Sequence, residues 1–115
     1  MTIDIILGDP ENIRSVNEAE FFLSRIRYYE RKNSCRVGIL MIQRRNFPLY
    51  LVTTEQEAIR EMTNPTSVET PESGIKFYRK DYIEVLRDAL QLGQRPDYRE
   101  LDRQHTLDRQ QLRAA

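Results

Sequence analysis

The chain has 115 residues, with 18 basic and 18 acidic side chains, one cysteine and one histidine. Zero net charge removes the global field that would hold it on nucleic acid or an anionic membrane, and the lone Cys35 cannot form an internal disulfide, which suits a reducing compartment. No apolar stretch approaches the ~20 residues that span a bilayer, and the first residues lack the basic and long apolar segments of a secretory signal, so a cytoplasmic protein with no membrane partner is expected.

This length suits one domain. Thr2 to Leu7 reads as a first strand, with Ile3, Ile5 and Leu7 on one face, and Gly8-Asp9-Pro10 ends it. Ser15 stands three residues before Glu18, the spacing of a capping box, and Ala19, Phe22, Leu23 and Ile26 follow at helical intervals; together they predict a helix from Val16 to Arg31. Val37 to Ile42 is apolar on both faces, as in a strand covered on both sides. A basic turn containing Asn46 and Pro48 reverses the chain into Leu49 to Val52, so these two strands pair antiparallel. Thr54 and Glu57 repeat the capping-box spacing ahead of a short helix, Glu55 to Met62, which stops before Asn64-Pro65. Thr63 to Ser73, rich in Thr, Ser, Pro and Glu, is an exposed loop and Gly74 to Arg79 a fourth strand. Tyr82, Ile83, Leu86, Ala89 and Leu90 then place an amphipathic helix over Asp81 to Leu92, capped at Gly93.

Strand, helix, strand, strand, helix, strand is the order of a two-layer ferredoxin-like (βαββαβ) α+β sandwich, here with an added C-terminal helix, and residues 1–93 are assigned to that domain. In such a sheet the second strand lies at an edge and helices cover one face only. The two apolar faces of Val37 to Ile42 conflict with this, so the helix from Asp81 to Leu92, or a second subunit, is expected to cover the other face. Residues 94–115 read as a charged tail, helical in part and disordered in part. Leu-Asp-Arg-Gln occurs twice there, at 101–104 and 107–110, but six residues leave the two leucines roughly 120° apart around a helix and build no single stripe. Asp97 and Glu100 cap a helix behind Pro96, with Tyr98, Leu101, His105 and Leu112 near one side, and a chain ending near Gly93 is expected to fold.

Little catalytic chemistry is legible. Gly8 and Gly38 are isolated, so neither a P-loop nor a dinucleotide fingerprint exists, and Cys35 and His105 lie seventy residues apart with no ligand spacing; no metal or cofactor is expected. Cys35, at the head of an apolar strand, is expected to be buried. Asp4, Asp9 and Glu11, near the end of the first strand, are the acids available to a small hydrolase or nuclease, the least favoured reading.

The first helix carries the strongest surface pattern. Phe21, Arg25, Tyr28 and Lys32 recur at four, three and four residues, and rings interleaved with cations anchor protein interfaces or stack on bases. In the competing reading, Phe21 and Tyr28 widen the core side while the cations reach into water. Arg44, Arg45 and Phe47 in the basic turn, and Tyr98 and Leu101 further on, complete the candidate partner-binding set. Charge is segregated, with eight basic against three acidic residues over 14–45 and one against five over 46–75, which can orient a partner or a second copy. RNA-recognition domains of the same strand order bear aromatics on their first and third strands; here the first has none. The expected function is a non-enzymatic protein-interaction module, a regulatory or assembly factor that acts through a protein partner or by self-association as a homodimer. RNA or single-stranded nucleic acid along Arg25, Tyr28, Lys32, Arg44 and Arg45 is the disfavoured alternative.

Overall fold

The computed structural model describes residues 4–5, 8–43, 46–63 and 74–108. Ile3, Ile6 and Leu7, the turn residues Arg44 and Arg45, most of the Thr63 to Ser73 loop, and Leu112 with the end of the second Leu-Asp-Arg-Gln repeat lie outside the described residues. The elements are β1 (Asp4–Ile5), α1 (Val16–Asn33), β2 (Val37–Gln43), β3 (Pro48–Thr54), α2 (Glu55–Thr63), β4 (Ile75–Tyr78), α3 (Lys80–Gln91), α4 (Tyr98–His105) and β5 (Thr106–Asp108), with a 3-10 turn at Pro10–Asn12.

Local chemistry sets the helix ends. Ser15 Oγ accepts the Glu18 amide at 3.2 Å and donates to Glu18 Oε1 at 3.0 Å, so α1 starts where the capping box places it. It runs to Asn33, and Ser34 then adopts a left-handed conformation, φ 53°. Thr54 Oγ1 accepts the Glu57 amide at 3.1 Å and opens α2 directly from β3. Gly93, at φ 70°, ends α3 while the Gly93 and Gln94 amides return to the Leu90 and Ala89 carbonyls at 3.1 and 2.9 Å. Asp97 Oδ1 accepts the Glu100 amide at 3.2 Å and caps α4.

The fold is a mixed α+β structure on an antiparallel sheet, ordered β1-β3-β2-β4-β5. The ferredoxin-like order would place β4 beside β1. Instead β4 pairs with β2, Ile39 to Ile42 lying opposite Tyr78 to Ile75. That single exchange moves β2 from the edge to the centre, the position that suits a strand apolar on both faces.

It also changes the layering. The connections β1-α1-β2 and β3-α2-β4 both step across one strand in the same lateral direction, yet β1 and β3 run antiparallel. Two crossovers of the same, right-handed sense must then lie on opposite faces. Accordingly Ala19, Phe22, Leu23 and Ile26 of α1, joined by Tyr82, Ile83 and Leu86 of α3 and Leu101 of α4, pack on Val37, Ile39, Val52 and Tyr78. On the other face Ala58 and Met62 of α2 pack on Leu40, Ile42, Ile75 and Phe77, flanked by Leu51 and Leu107. The two-layer expectation is thus corrected to three layers. The second face of β2 is covered by α2, and α3 lies with α1 on the first.

Gly38 belongs to this close packing. A Cβ there would meet the Tyr78 carbonyl oxygen and stand 2.5 Å from Phe77 Cζ, so the absent side chain lets the Phe77 ring lie across the central strand. The segment from Gln94, expected as a charged tail, is described as far as Asp108. Up to that point it contributes α4, whose Leu101 is 6% exposed, and β5, which pairs Thr106, Leu107 and Asp108 with Tyr78, Phe77 and Lys76.

Candidate interaction surface

Phe21, Arg25, Tyr28 and Lys32 form a stripe on the side of α1 opposite its core positions. Phe21 is 51% and Tyr28 52% exposed, Lys32 is exposed, and Arg25 is half-buried between them. Phe21 stands edge-on to the buried Phe22 at 5.9 Å, and Tyr28 edge-on to Tyr29 at 5.0 Å, so both exposed rings are braced by an inner neighbour. Lys32 Nζ lies 5.9 Å from the centre of the Tyr28 ring, within cation–π range. Phe21 and Tyr28 thus leave about half of each ring in water.

The other candidates separate. Phe47 is 58% exposed between β2 and β3; Arg44 and Arg45 lie outside the described residues. Leu101 is a core side chain. Tyr98 is half-buried and tied down: its hydroxyl donates to the Ile13 carbonyl at 3.1 Å and accepts from Arg14 Nη1 at 3.2 Å, with the Arg14 guanidinium 4.8 Å from the ring centre. Both residues attach α4 to the body, Leu101 by burial and Tyr98 by its hydrogen bonds.

Asp9 and Glu11, considered for hydrolysis, do come together with other ionisable groups, and this cluster was not visible as such in the sequence. Tyr78 donates a very short hydrogen bond to Glu11 Oε2; Lys76 Nζ lies 3.6 Å from the same oxygen, bridges to Asp102 of α4, and stands 5.3 Å from the Tyr78 ring centre. Burial, with the charge of Asp9 and a hydrogen bond to it, pushes the Tyr50 phenol up to about 12. Burial raises Tyr78 further, with the Glu11 hydrogen bond and charge adding to it, and burial followed by Glu11 raises Tyr82. These phenols hold their protons at neutral pH, and Tyr50 and Tyr78 donate to the carboxylates of Asp9 and Glu11 rather than act as bases. The group therefore acts as a clasp between the 3-10 turn, β4 and α4. Its one legible sign was Lys76, a cation alternating with apolar residues on a strand covered on both faces.

A cleft of ≈ 290 Å³ opens between α1, β2 and the start of α3, lined by Glu30, Arg36, Glu55, Arg79, Lys80 and Glu84 among others. Its walls are paired internally: Lys80 Nζ to Glu30 Oε1 at 2.9 Å, and Arg79 Nε and Nη2 to Glu55 Oε1 at 3.0 and 2.8 Å. Cys35 is exposed, contrary to the buried position expected from the strand that follows it. The left-handed turn at Ser34 sets it outside β2, which begins only at Val37. Among the described residues no group of three or more His, Cys, Asp and Glu side chains is arranged to hold a metal ion, and no helix is long and apolar enough to cross a membrane.

Comparison of the chain with protein-family models, with curated proteins and with solved structures gives no match.

Proposed function

We propose that the protein is a non-enzymatic interaction module, a cytoplasmic assembly or regulatory factor whose binding surface is the outer stripe of α1. The observation that carries this reading is the pair Phe21 and Tyr28, 51% and 52% exposed on one helix face with Lys32 5.9 Å from the Tyr28 ring. Two half-exposed rings braced from behind are the kind of rigid amphipathic anchor that dominates protein interfaces. The neighbouring cations select a partner surface that alternates acidic and aliphatic side chains. A cytoplasmic setting also keeps the exposed Cys35 a thiol.

The test is affinity capture with the wild-type chain and with the Phe21→Ser, Tyr28→Ser double variant, read by quantitative mass spectrometry. Proteins retained by the wild type should be lost from the variant, since each ring at the centre of an interface is worth about tenfold in affinity or more. An identical set on both baits would refute the surface. A single-stranded RNA probe bound in a steeply salt-dependent way, and released by the same substitutions, would instead make the stripe a nucleic-acid surface.

A further inference from the structure

The helical layer carries a second outward stripe with the same intervals as the first. On α3 and its C-terminal residue, Asp81, Val85, Asp88 and Leu92 recur at four, three and four residues, as Phe21, Arg25, Tyr28 and Lys32 do on α1. At about 100° per residue each set stays within about 60° of the helix surface, away from the buried Tyr82, Ile83 and Leu86 in the one case and Ala19, Phe22 and Ile26 in the other. Asp81 and Asp88 are exposed, and Val85 and Leu92 are 44% and 73% exposed. Six large apolar side chains are exposed among the described residues, and four of them, Phe21, Tyr28, Val85 and Leu92, stand on these two stripes. The chemistry is complementary: one stripe alternates rings with cations, the other acids with aliphatic groups.

The geometry allows each stripe to meet the other in a second copy. Helices α1 and α3 lie side by side and antiparallel, because Glu20 near the start of α1 meets Arg87 near the end of α3 at 3.1 Å, while Glu30 near the end of α1 meets Lys80 at the start of α3 at 2.9 Å. A two-fold axis along this pair, in the plane of its outer surface, turns α1 of one copy onto α3 of the other and does the reverse at the same time. The two ion pairs also set the heights. Phe21 and Tyr28 of one copy bracket Val85 of the other, and Arg25 comes level with the turn between Asp81 and Asp88.

We propose that α1 and α3 form a two-fold, self-complementary interface between two copies of this chain, with the ring-and-cation stripe of each α1 seated on the acid-and-aliphatic stripe of its partner's α3. The proposal rests on the reading of the α1 stripe as a binding surface and names its occupant.

The experiment is sedimentation equilibrium over a wide concentration range on the full chain and on two variants of opposite sign, Phe21→Glu with Tyr28→Glu, and Val85→Lys with Asp88→Lys. The wild-type mass should rise from 13.7 kDa toward twice that value with concentration, less readily at high salt. Each variant alone places like charges in both halves of the interface and should remain monomeric. Mixed, they should associate again, because one half of the heterodimer is then wild type and the other pairs glutamates with lysines. Circular dichroism checks that each variant is folded, and the uncharged Tyr28→Ser and Val85→Ser variants should each weaken association about a hundredfold, about tenfold for each of the two symmetric contacts that lose the side chain. A wild type that is monomeric throughout, a dimer indifferent to the α3 variant, or a mixture that stays monomeric would each overturn the proposal. The first of these results leaves the capture experiment, and the α1 surface it tests, unaffected.

Discussion

Replacing Leu101 by Ala separates a helix that belongs to the body from one that merely follows it. Leu101 is 6% exposed and lies in the cluster that includes Ile13, Tyr82 and Leu86. Removing a nearly buried leucine side chain from such a site costs about 1.5–3 kcal/mol for the lost transfer from water, and the unfilled space brings the total to about 2–5 kcal/mol. A domain of this size has a total stability of about 5–15 kcal/mol, so the variant should fold with a clearly lower transition. Urea unfolding followed by circular dichroism measures it: with a slope of about 1–3 kcal/mol per molar urea, the midpoint should fall by roughly 1–3 M at unchanged slope. Truncation after Gly93 is the stronger form of the same experiment. It removes Leu101, the three β5 pairs with β4, the Tyr98 hydroxyl bond to Ile13 and the Asp102 bridge to Lys76, and should leave a chain that does not unfold cooperatively. A loss below about 1 kcal/mol for Leu101→Ala, or a truncated chain with the parent's transition, would refute the assignment of α4 and β5 to the body.

Gly38→Ala should destabilise the protein by more than about 2 kcal/mol, because the new methyl group would press on the Tyr78 carbonyl, a backbone atom of a paired strand, and on the Phe77 ring at 2.5 Å; an unchanged thermal midpoint would show that the central strand is not packed as described. Alkaline stability follows from the raised phenols. Tyr50 is pushed up to about 12, above its ordinary 10, and Tyr78 and Tyr82 are raised as well, so the folded state binds their protons more tightly than the unfolded chain does. Their contribution is present in full below about pH 10 and is lost as pH rises from there through 12; urea midpoints should fall between about pH 10 and 12, and a flat profile would contradict the burial of these groups.

Much of the element list was legible locally. The Ser15–Glu18 and Thr54–Glu57 spacings place the starts of α1 and α2, Gly93 ends α3, and Asp97 caps α4, because capping involves groups only a few residues apart. The intervals of Phe21, Arg25, Tyr28 and Lys32 were likewise readable, since helical periodicity is a property of one segment. That Leu101 and Tyr98 face protein was not, because the intervals along α4 are the same whether its apolar side meets a partner or its own core.

By itself the sequence determined the helices, their ends, the β2–β3 pairing and the fact that β2 must be covered on both faces, since each follows from contacts over short separations or from the pattern of one strand. Only the tertiary structure decided which strand lies beside β2. Placing β4 there rather than beside β1 centres the two-sided strand, sends α2 to the opposite face from α1, and leaves β4 an edge on which β5 pairs. The choice depends on the whole sheet competing for one apolar strand, a long-range balance of burial that no local spacing encodes. The clasp of Glu11, Lys76, Tyr78 and Asp102 has the same origin: its members come from three distant segments of the chain and share a site only after that choice is made.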